Sequence, residues 1–245
     1  MLRKGPKKKL QNVTLEHPVG DYQDGGDHGV VDYRATWGQA LWALALPILI
    51  ILTLRWVFFE PYVIPSGSMI PNLLIYDHVL VNKFSYGIRL PFSSTYLFQW
   101  RKPKRGDIIV FRYPQDPNIF YVKRVVAVPG DVIRWSGHSL FINGEGLSQE
   151  PQGDGLYREG NWLIQFQRQN KNEHGMYELG SDEYFVMGDH RDHSSDSRVW
   201  GPVKLNLVLG TVSLIWLSCE EILDPSLRLC DPQTIRWNRI GIIPR

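Results

Sequence analysis

Cysteine is nearly absent from this sequence, which has only Cys219 and Cys230 among its 245 residues. Two cysteines cannot build a disulfide framework, and their spacing does not match a zinc site. The pair is able to form one disulfide if this end of the chain faces an oxidising compartment. A buried free cysteine and an intermolecular link remain the alternatives.

A large excess of charge of either sign is also missing. The formal net charge is +2, and no basic stripe alternates with aromatic residues. Nucleic acid is therefore not expected as a partner. Hydrophobic residues make up 43% of the chain and charged residues 21%, so extensive disorder is not expected either.

Charged residues are missing from the 20 consecutive positions between Arg34 and Arg55. A helix of this length spans about 30 Å, the thickness of the hydrocarbon core of a bilayer. Tryptophans lie near both ends, as at a membrane interface. We predict a transmembrane helix over residues 37–59. A buried core helix and a cleavable signal peptide are the alternatives, and about 36 preceding residues argue against the signal peptide.

Lysine and arginine are concentrated before this stretch, and none lies between Arg55 and Lys83. The positive-inside rule therefore predicts a cytoplasmic N-terminal arm over residues 1–36 and an extracytoplasmic domain over residues 60–245.

The chain beyond the predicted helix is expected to be mostly β, because short β-branched runs recur between turn residues. Many short strands of this kind favour antiparallel sheets in a barrel or sandwich. A polar, Gly- and Gln-rich region at about 136–183 is expected to form a smaller inserted subdomain. The predicted strands are 78–82, 107–113, 120–128, 132–135, 139–142, 184–187 and 208–218.

Three local patterns contain residues suited to chemistry. In Ser66-Gly67-Ser68, the glycine allows a sharp bend that lets the second hydroxyl protrude, although most such tripeptides are flexible turns. Lys123 interrupts an apolar strand, where burial would lower its pKa and make it a general base; a surface strand is the alternative. The third pattern, 188–198, is dense in charge.

The 188–198 segment permits two interpretations. His190, His193 and the aspartates are able to ligate a metal, or aspartate–arginine pairs form a rigid, charge-compensated loop. No zinc-protease motif is present, so the loop interpretation is preferred.

Four motifs follow one another along the chain. They are Pro-Ser-Gly-Ser-Met at 65–69, Gly-Asp-Ile-Ile-Val-Phe at 106–111, Tyr-Val-Lys-Arg at 121–124 followed by Pro-Gly-Asp, and Gly-Asp-x-Arg-Asp-x-Ser-x-Asp-Ser-Arg-x-Trp-Gly at 188–201. Together they resemble the bacterial type I signal peptidases from about residue 40 to the C-terminus. Each motif alone is weak, whereas four in order are specific.

The resemblance implies a catalytic dyad in which Ser68 is the nucleophile and Lys123 the general base. The Ser66 hydroxyl and the Ser68 backbone N–H match the oxyanion hole. Further positions match groups that support the dyad or line shallow pockets for small residues at −1 and −3 of the cleavage site. The supporting residues are Gly188, Asp189, Ser194, which orients the lysine, and an Asp196–Arg198 ion pair; the pocket residues are Tyr62, Ile64, Val79, Val110 and Val122.

The implied function is removal of N-terminal signal peptides from exported preproteins after a small-x-small site. The enzyme would cross the bacterial cytoplasmic membrane once, with its catalytic domain in the periplasm. Its expected partners are preprotein signal peptides and membrane lipid, with no cofactor, metal or nucleic acid. His190 and His193 depart from the family, whose better-known members have asparagine there; we expect them to structure the loop.

Two other functions remain as alternatives. One is a related Ser/Lys peptidase dedicated to a single substrate. The other is an anchored, non-enzymatic β-scaffold or binding module, which would require neither Ser68 nor Lys123.

Overall fold

The structure is a computed structural model that describes residues 37–89, 96–166, 173–224 and 229–244. The predicted cytoplasmic arm, residues 1–36, lies outside the described residues. The fold divides into two units, Met1–Leu44 and Ala45–Arg245. Every strand belongs to the second unit.

Helix α1 runs from Trp37 to Phe58 and contains Pro47. Every residue from 37 to 53 is exposed, including large apolar side chains such as Trp42 and Ile51. Across the described part of the chain, no helix meets the combined length and hydropathy that crossing a membrane requires.

The rest of the described chain is mostly β, as the sequence predicts. The strands, numbered in chain order, are β1 Phe59–Val63, β2 Asp77–Asn82, β3 Gly87–Arg89, β4 Tyr96–Gln99, β5 Ile108–Arg112, β6 Phe120–Ala127, β7 Val132–Ser136, β8 Ser139–Ile142, β9 Glu145–Gly146, β10 Gln149–Gly153, β11 Leu156–Glu159, β12 Trp162–Gln165, β13 His174–Glu178, β14 Glu183–Met187, β15 Val203–Lys204, β16 Val208–Ser218, β17 Ile222–Asp224 and β18 Leu229–Cys230. Short helical turns complete the described chain: 3-10 turns Gly67–Met69, Lys83–Ser85, Arg191–His193, Leu205–Leu207, Pro232–Thr234 and Trp237–Arg239, and helix α2, Ser197–Trp200.

A seven-stranded sheet in the order β1-β2-β16-β5-β6-β14-β15 forms the framework of the site. All of its pairings are antiparallel. The longest strand, β16, pairs with β2 and with β5 and has register shifts on both sides. Such bulges bend the strand and increase its local twist.

Three apolar clusters form the core. The cluster that matters for the site includes Ile64, Met69, Val79 and Val110, with Val122 packed against it. It thus ties β1, β2, β5 and β6 to the turn that contains Ser68. Because cores pack densely, this turn has little freedom to shift.

Two small sheets, β10-β11-β12 and β13-β7-β8-β9, contain the strands of the region predicted as an inserted subdomain, together with β7, which begins before it. A fully buried ion pair between Glu159 of β11 and Arg191 joins the three-stranded sheet to the 188–198 loop. A buried pair of this kind fixes geometry strongly, since loss of either partner leaves an uncompensated charge.

The C-terminal segment packs back onto β2 and β16. Cys219 and Cys230 form a disulfide, with their Cα atoms 5.7 Å apart. Nearby, Arg239 donates to both carboxylate oxygens of the buried Asp77. These contacts stabilise the end of the sheet that carries the Ser68 turn.

Candidate active site

Ser68 lies in the 3-10 turn that follows β1. Backbone hydrogen bonds of 2.9 Å, from Ile64 N–H to Asp77 and from Tyr76 N–H to Ile64, hold the chain just before it. Met69, immediately after the serine, is buried in the core. The hydroxyl is therefore presented at the surface by a turn that is fixed on both sides.

Lys123 lies on β6 and is brought to the same point by the main sheet. Only 5% of the residue is exposed. Its Nζ donates a 2.6 Å hydrogen bond to Ser68 Oγ, across 55 positions of sequence. Ser66 Oγ lies 3.5 Å from Ser68 Oγ, so the three predicted side chains converge.

Burial lowers the pKa of Lys123 from 10.5 to about 8. The carboxylates of Asp196 and Asp189 offset part of this effect by favouring the ammonium form, while Arg198 opposes them. A large neutral fraction is therefore available under mildly alkaline conditions, and a neutral amine is able to accept the serine proton.

Asp189 and Arg124 form a buried, two-pronged ion pair behind the lysine. Both arginine–carboxylate distances are 2.7 Å, and each side chain is 1% exposed. The sequence prediction included Asp189 but missed its partner. The available signal was the position of Arg124, next to Lys123 in an apolar strand, where an arginine needs a counter-ion.

Asp196 caps helix α2 and pairs with Arg198 at 2.8 Å, as the resemblance implied for this pair. Burial alone would raise the pKa of Asp196, but the hydrogen bond and charge of Arg198 outweigh it and hold the pKa low. The carboxylate also accepts a 3.0 Å hydrogen bond from the Gly188 N–H. The pair thus anchors both ends of the loop.

Gly188 has no room for a side chain. A Cβ built there would lie 2.5 Å from the Ser68 carbonyl oxygen and would also collide with Ser194. The Ser194 hydroxyl is buried and interacts with the Asp196 carboxylate, whose pKa it helps to lower, rather than with Lys123 as expected. Ser194 nevertheless lies close to the dyad, across Gly188.

Ser68 and Lys123 line a cleft of about 980 Å³. Three of the five predicted pocket residues line it: Tyr62, Ile64 and Val122. Val79 and Val110 do not line it; they are fully buried in the core cluster that includes Ile64. The cleft wall is therefore apolar on one side and backed by a tightly packed core.

His190 and His193 lie on the cleft wall with their rings 4.6 Å apart. The backbone N–H of His190 donates to the Ser68 carbonyl at 3.1 Å, and Nδ1 lies 3.3 Å from the Gly67 carbonyl oxygen. Burial lowers the pKa of His190, which favours the neutral ring. That the two histidines structure the loop stays a prediction.

Among the described residues, the 188–198 loop contains no group of three potential metal ligands that lie close together. In the described ranges, the only group of three potential ligands that lie close together is His78 with Cys219 and Cys230. That group lies at the C-terminal disulfide, and its two sulfur atoms are bonded to each other.

Comparison with known proteins identifies the family. The family model for signal peptidase, peptidase S26, matches residues 37–217. A signal peptidase I from Pseudomonas fluorescens is 42% identical over 223 residues, covering 80% of this chain and 76% of the relative. A signal peptidase I from Pseudomonas aeruginosa is 37% identical over 225 residues, with the same coverage.

Among solved structures, a signal peptidase I from Enterococcus faecalis V583 is 27% identical and covers 46% of this chain and 98% of its own. Its TM-score is 0.33, so it adds no argument about the fold. The family-model match and the sequence relatives carry the assignment. On that evidence the chain belongs to the signal peptidase family, peptidase S26, and is an endopeptidase of that kind.

Proposed function

We propose that this chain is a membrane-bound endopeptidase that removes signal peptides by means of a Ser68–Lys123 dyad. The observation that carries the proposal is the 2.6 Å contact between Lys123 Nζ and Ser68 Oγ, with the lysine almost fully buried. Nucleophile and base within hydrogen-bond reach of one another are the geometry that covalent catalysis requires.

In the proposed acylation step, neutral Lys123 removes the proton of Ser68 as Oγ attacks the scissile carbonyl carbon. The resulting oxyanion accepts hydrogen bonds from the Ser66 hydroxyl and the Ser68 N–H. The tetrahedral intermediate collapses when the ammonium of Lys123 gives its proton to the leaving amine. The signal peptide then remains as an ester on Ser68.

Deacylation repeats the sequence with water. Lys123 removes a proton from a water molecule that attacks the ester carbonyl, and then returns the proton to Ser68 Oγ. Free enzyme and a signal peptide with a new carboxyl terminus result. The low dielectric around the lysine keeps its pKa within reach of both transfers.

Specificity for small residues at −1 and −3 is proposed from the shape of the apolar cleft wall. Tyr62, Ile64 and Val122 line it, and Val79 and Val110 pack in the core with Ile64. A wall backed by a dense core cannot move aside for a large side chain, so steric exclusion selects alanine-sized residues.

We also propose that α1 anchors the enzyme, with the N-terminus in the cytoplasm and the catalytic domain in the periplasm. Residues 37–53 expose apolar side chains on all faces of the helix, which suits a lipid environment. The excess of Lys and Arg before residue 35 supports the orientation.

The direct test is to incubate the full chain in detergent with a preprotein that carries an Ala-x-Ala site and to sequence the new N-terminus. Ser68→Ala and Lys123→Ala should each lose nearly all activity, because the two groups act as a unit. Ser66→Ala should lose about 10²–10³-fold in kcat as one oxyanion donor among several.

The matched controls are Ser139→Ala and Lys102→Ala, since both residues are exposed and distant in sequence from the dyad. Both variants should cleave at the wild-type rate. Near-wild-type turnover in Ser68→Ala or Lys123→Ala would reject the mechanism, and cleavage away from the Ala-x-Ala site would reject the proposed specificity.

A further inference from the structure

Asn72 lies four positions after Ser68, in no motif that the sequence analysis used. Its Nδ2 donates two hydrogen bonds of 2.7 Å, one to the carboxylate of Asp189 and one to the backbone carbonyl of Leu163 in β12. Its backbone carbonyl accepts a 3.0 Å hydrogen bond from the Arg239 guanidinium. Backbone and side chain are thus both fixed, and the side chain links the serine turn to distant parts of the chain.

The carboxylate that Asn72 reaches is the one that pairs with Arg124. Asp189 is fully buried and accepts from three donors: two guanidinium nitrogens and the Asn72 amide, each at 2.7 Å. Arg124 also donates to the Gly106 carbonyl at 2.8 Å. Because Arg124 directly follows Lys123 on β6, the position of Asp189 constrains the strand that carries the lysine.

The backbone next to Asp189 also contacts the serine turn. Its carbonyl accepts from Gln165 N–H at 2.8 Å, and the next residue, His190, donates its N–H to the Ser68 carbonyl at 3.1 Å. The serine turn is therefore joined to the Asp189 region twice, once through His190 and once through Asn72. The two connections close a ring through the serine turn and Asp189, and Arg124 links the strand of Lys123 to the same carboxylate.

We propose that Asn72 is a positioning residue for the Ser68–Lys123 pair, which it serves by holding Asp189 against the serine turn. The inference rests on the proposed dyad mechanism and assigns Asn72 no contact with substrate. Asn72 does not line the described cleft, so it acts through Asp189. Loss of its amide removes the hydrogen bond to the Asp189 carboxylate and leaves the Leu163 carbonyl without this donor.

The effect should fall on kcat. The dyad works at 2.6 Å, and small displacements of reacting groups cost large factors in rate. Asn72→Ala should lower kcat by about tenfold to a hundredfold while KM stays within about twofold. Asn72→Ser, which keeps a shorter hydroxyl donor, should lie between the wild type and the alanine variant.

Asn143 provides a matched control. Its Nδ2 also donates to a buried carboxylate, that of Asp131, which pairs with Arg105, and no described contact joins either partner to the serine turn. Asn143 has a φ of 54°, which glycine also adopts, so Asn143→Gly removes the donor without straining the turn. This variant should therefore keep the wild-type kcat. Equal losses of kcat in Asn72→Ala and Asn143→Gly would mean general destabilisation and would overturn the proposal.

Amide hydrogen exchange gives a second readout that does not depend on turnover. Peptides that cover residues 64–73 and 186–194 should exchange faster in Asn72→Ala than in the wild type, and at the wild-type rate in Asn143→Gly. Unchanged exchange together with unchanged kcat would overturn the proposal. Wild-type cleavage and its loss in Ser68→Ala test the dyad separately, so failure of one idea is distinguishable from failure of the other.

Discussion

At the scale of single residues, Gly188 allows the 188–198 loop to approach the serine turn closely. The loop passes so near the Ser68 carbonyl that the backbone itself is the neighbour, and Ser194 fills the remaining space. Backbone atoms cannot rotate away as a flexible side chain can. A methyl group at this position must therefore displace either the serine turn or the loop.

We predict that Gly188→Ala lowers kcat by at least about a hundredfold, because such a displacement separates Ser68 from Lys123. Initial rates of preprotein cleavage measure the effect. Gly146→Ala is the control, since its new Cβ would lie 3.4 Å from the Phe141 ring, an ordinary contact. The account of the loop is wrong if Gly188→Ala cleaves as fast as Gly146→Ala.

Local sequence patterns did not predict the residues whose roles depend on contacts with distant parts of the chain. Lysine in an apolar strand was recognisable locally, but its partner lies 55 positions away, and only the family resemblance joined the two. The roles of Arg124 and Asn72 were not predicted, because they arise from contacts with Asp189, which is distant in sequence. Local patterns do not encode such tertiary pairs.

At the scale of elements, the sequence predicted five strands of the main sheet and the β7–β8 hairpin of the four-stranded sheet, but not the three-stranded sheet. β6, β8 and β16 begin where the β-branched runs begin, since apolar runs between turn residues read directly as buried strands. Strand β10 is polar, and β11 and β12 are short, with four residues each, so they lack that signal. Contacts such as Glu159–Arg191 and Asn72–Leu163 hold this region in place, and these form only in the folded chain.

The C-terminal disulfide offers a prediction at this scale. It closes a short loop beside β16, so replacing both cysteines with alanine should lower the free energy of unfolding by about 2–3 kcal/mol. The kcat should stay within about twofold, because neither cysteine lines the cleft. Urea titration of the variant and of reduced wild-type protein measures the loss, which should be similar in both.

Mass spectrometry of unreduced peptides checks the premise of that prediction. Cys219 and Cys230 should appear in one linked pair of peptides when the protein comes from the periplasmic side. Two free thiols in such a sample would remove the proposed structural role, whatever the unfolding data show.

At the scale of the whole molecule, the proposed orientation has a direct consequence for labelling. With the native cysteines paired, a cysteine introduced at position 20 should react with a membrane-impermeant maleimide only from the cytoplasm. One introduced at the exposed position 150 should react only from outside. Reversed labelling would place the dyad on the wrong side of the membrane for exported substrates.

The pH dependence of kcat/KM tests the central claim, Lys123 as the general base, most directly. Protonated Lys123 cannot accept the serine proton, so the rate should fall about tenfold per pH unit below the pKa of about 8. The limb should persist in a His190→Asn/His193→Asn double variant, because the titrating group is the lysine and not an imidazole. The account predicts an acidic limb centred near pH 8 in both proteins. A limb near pH 6.5 that disappears in the double variant would assign the proton transfer to histidine and contradict it.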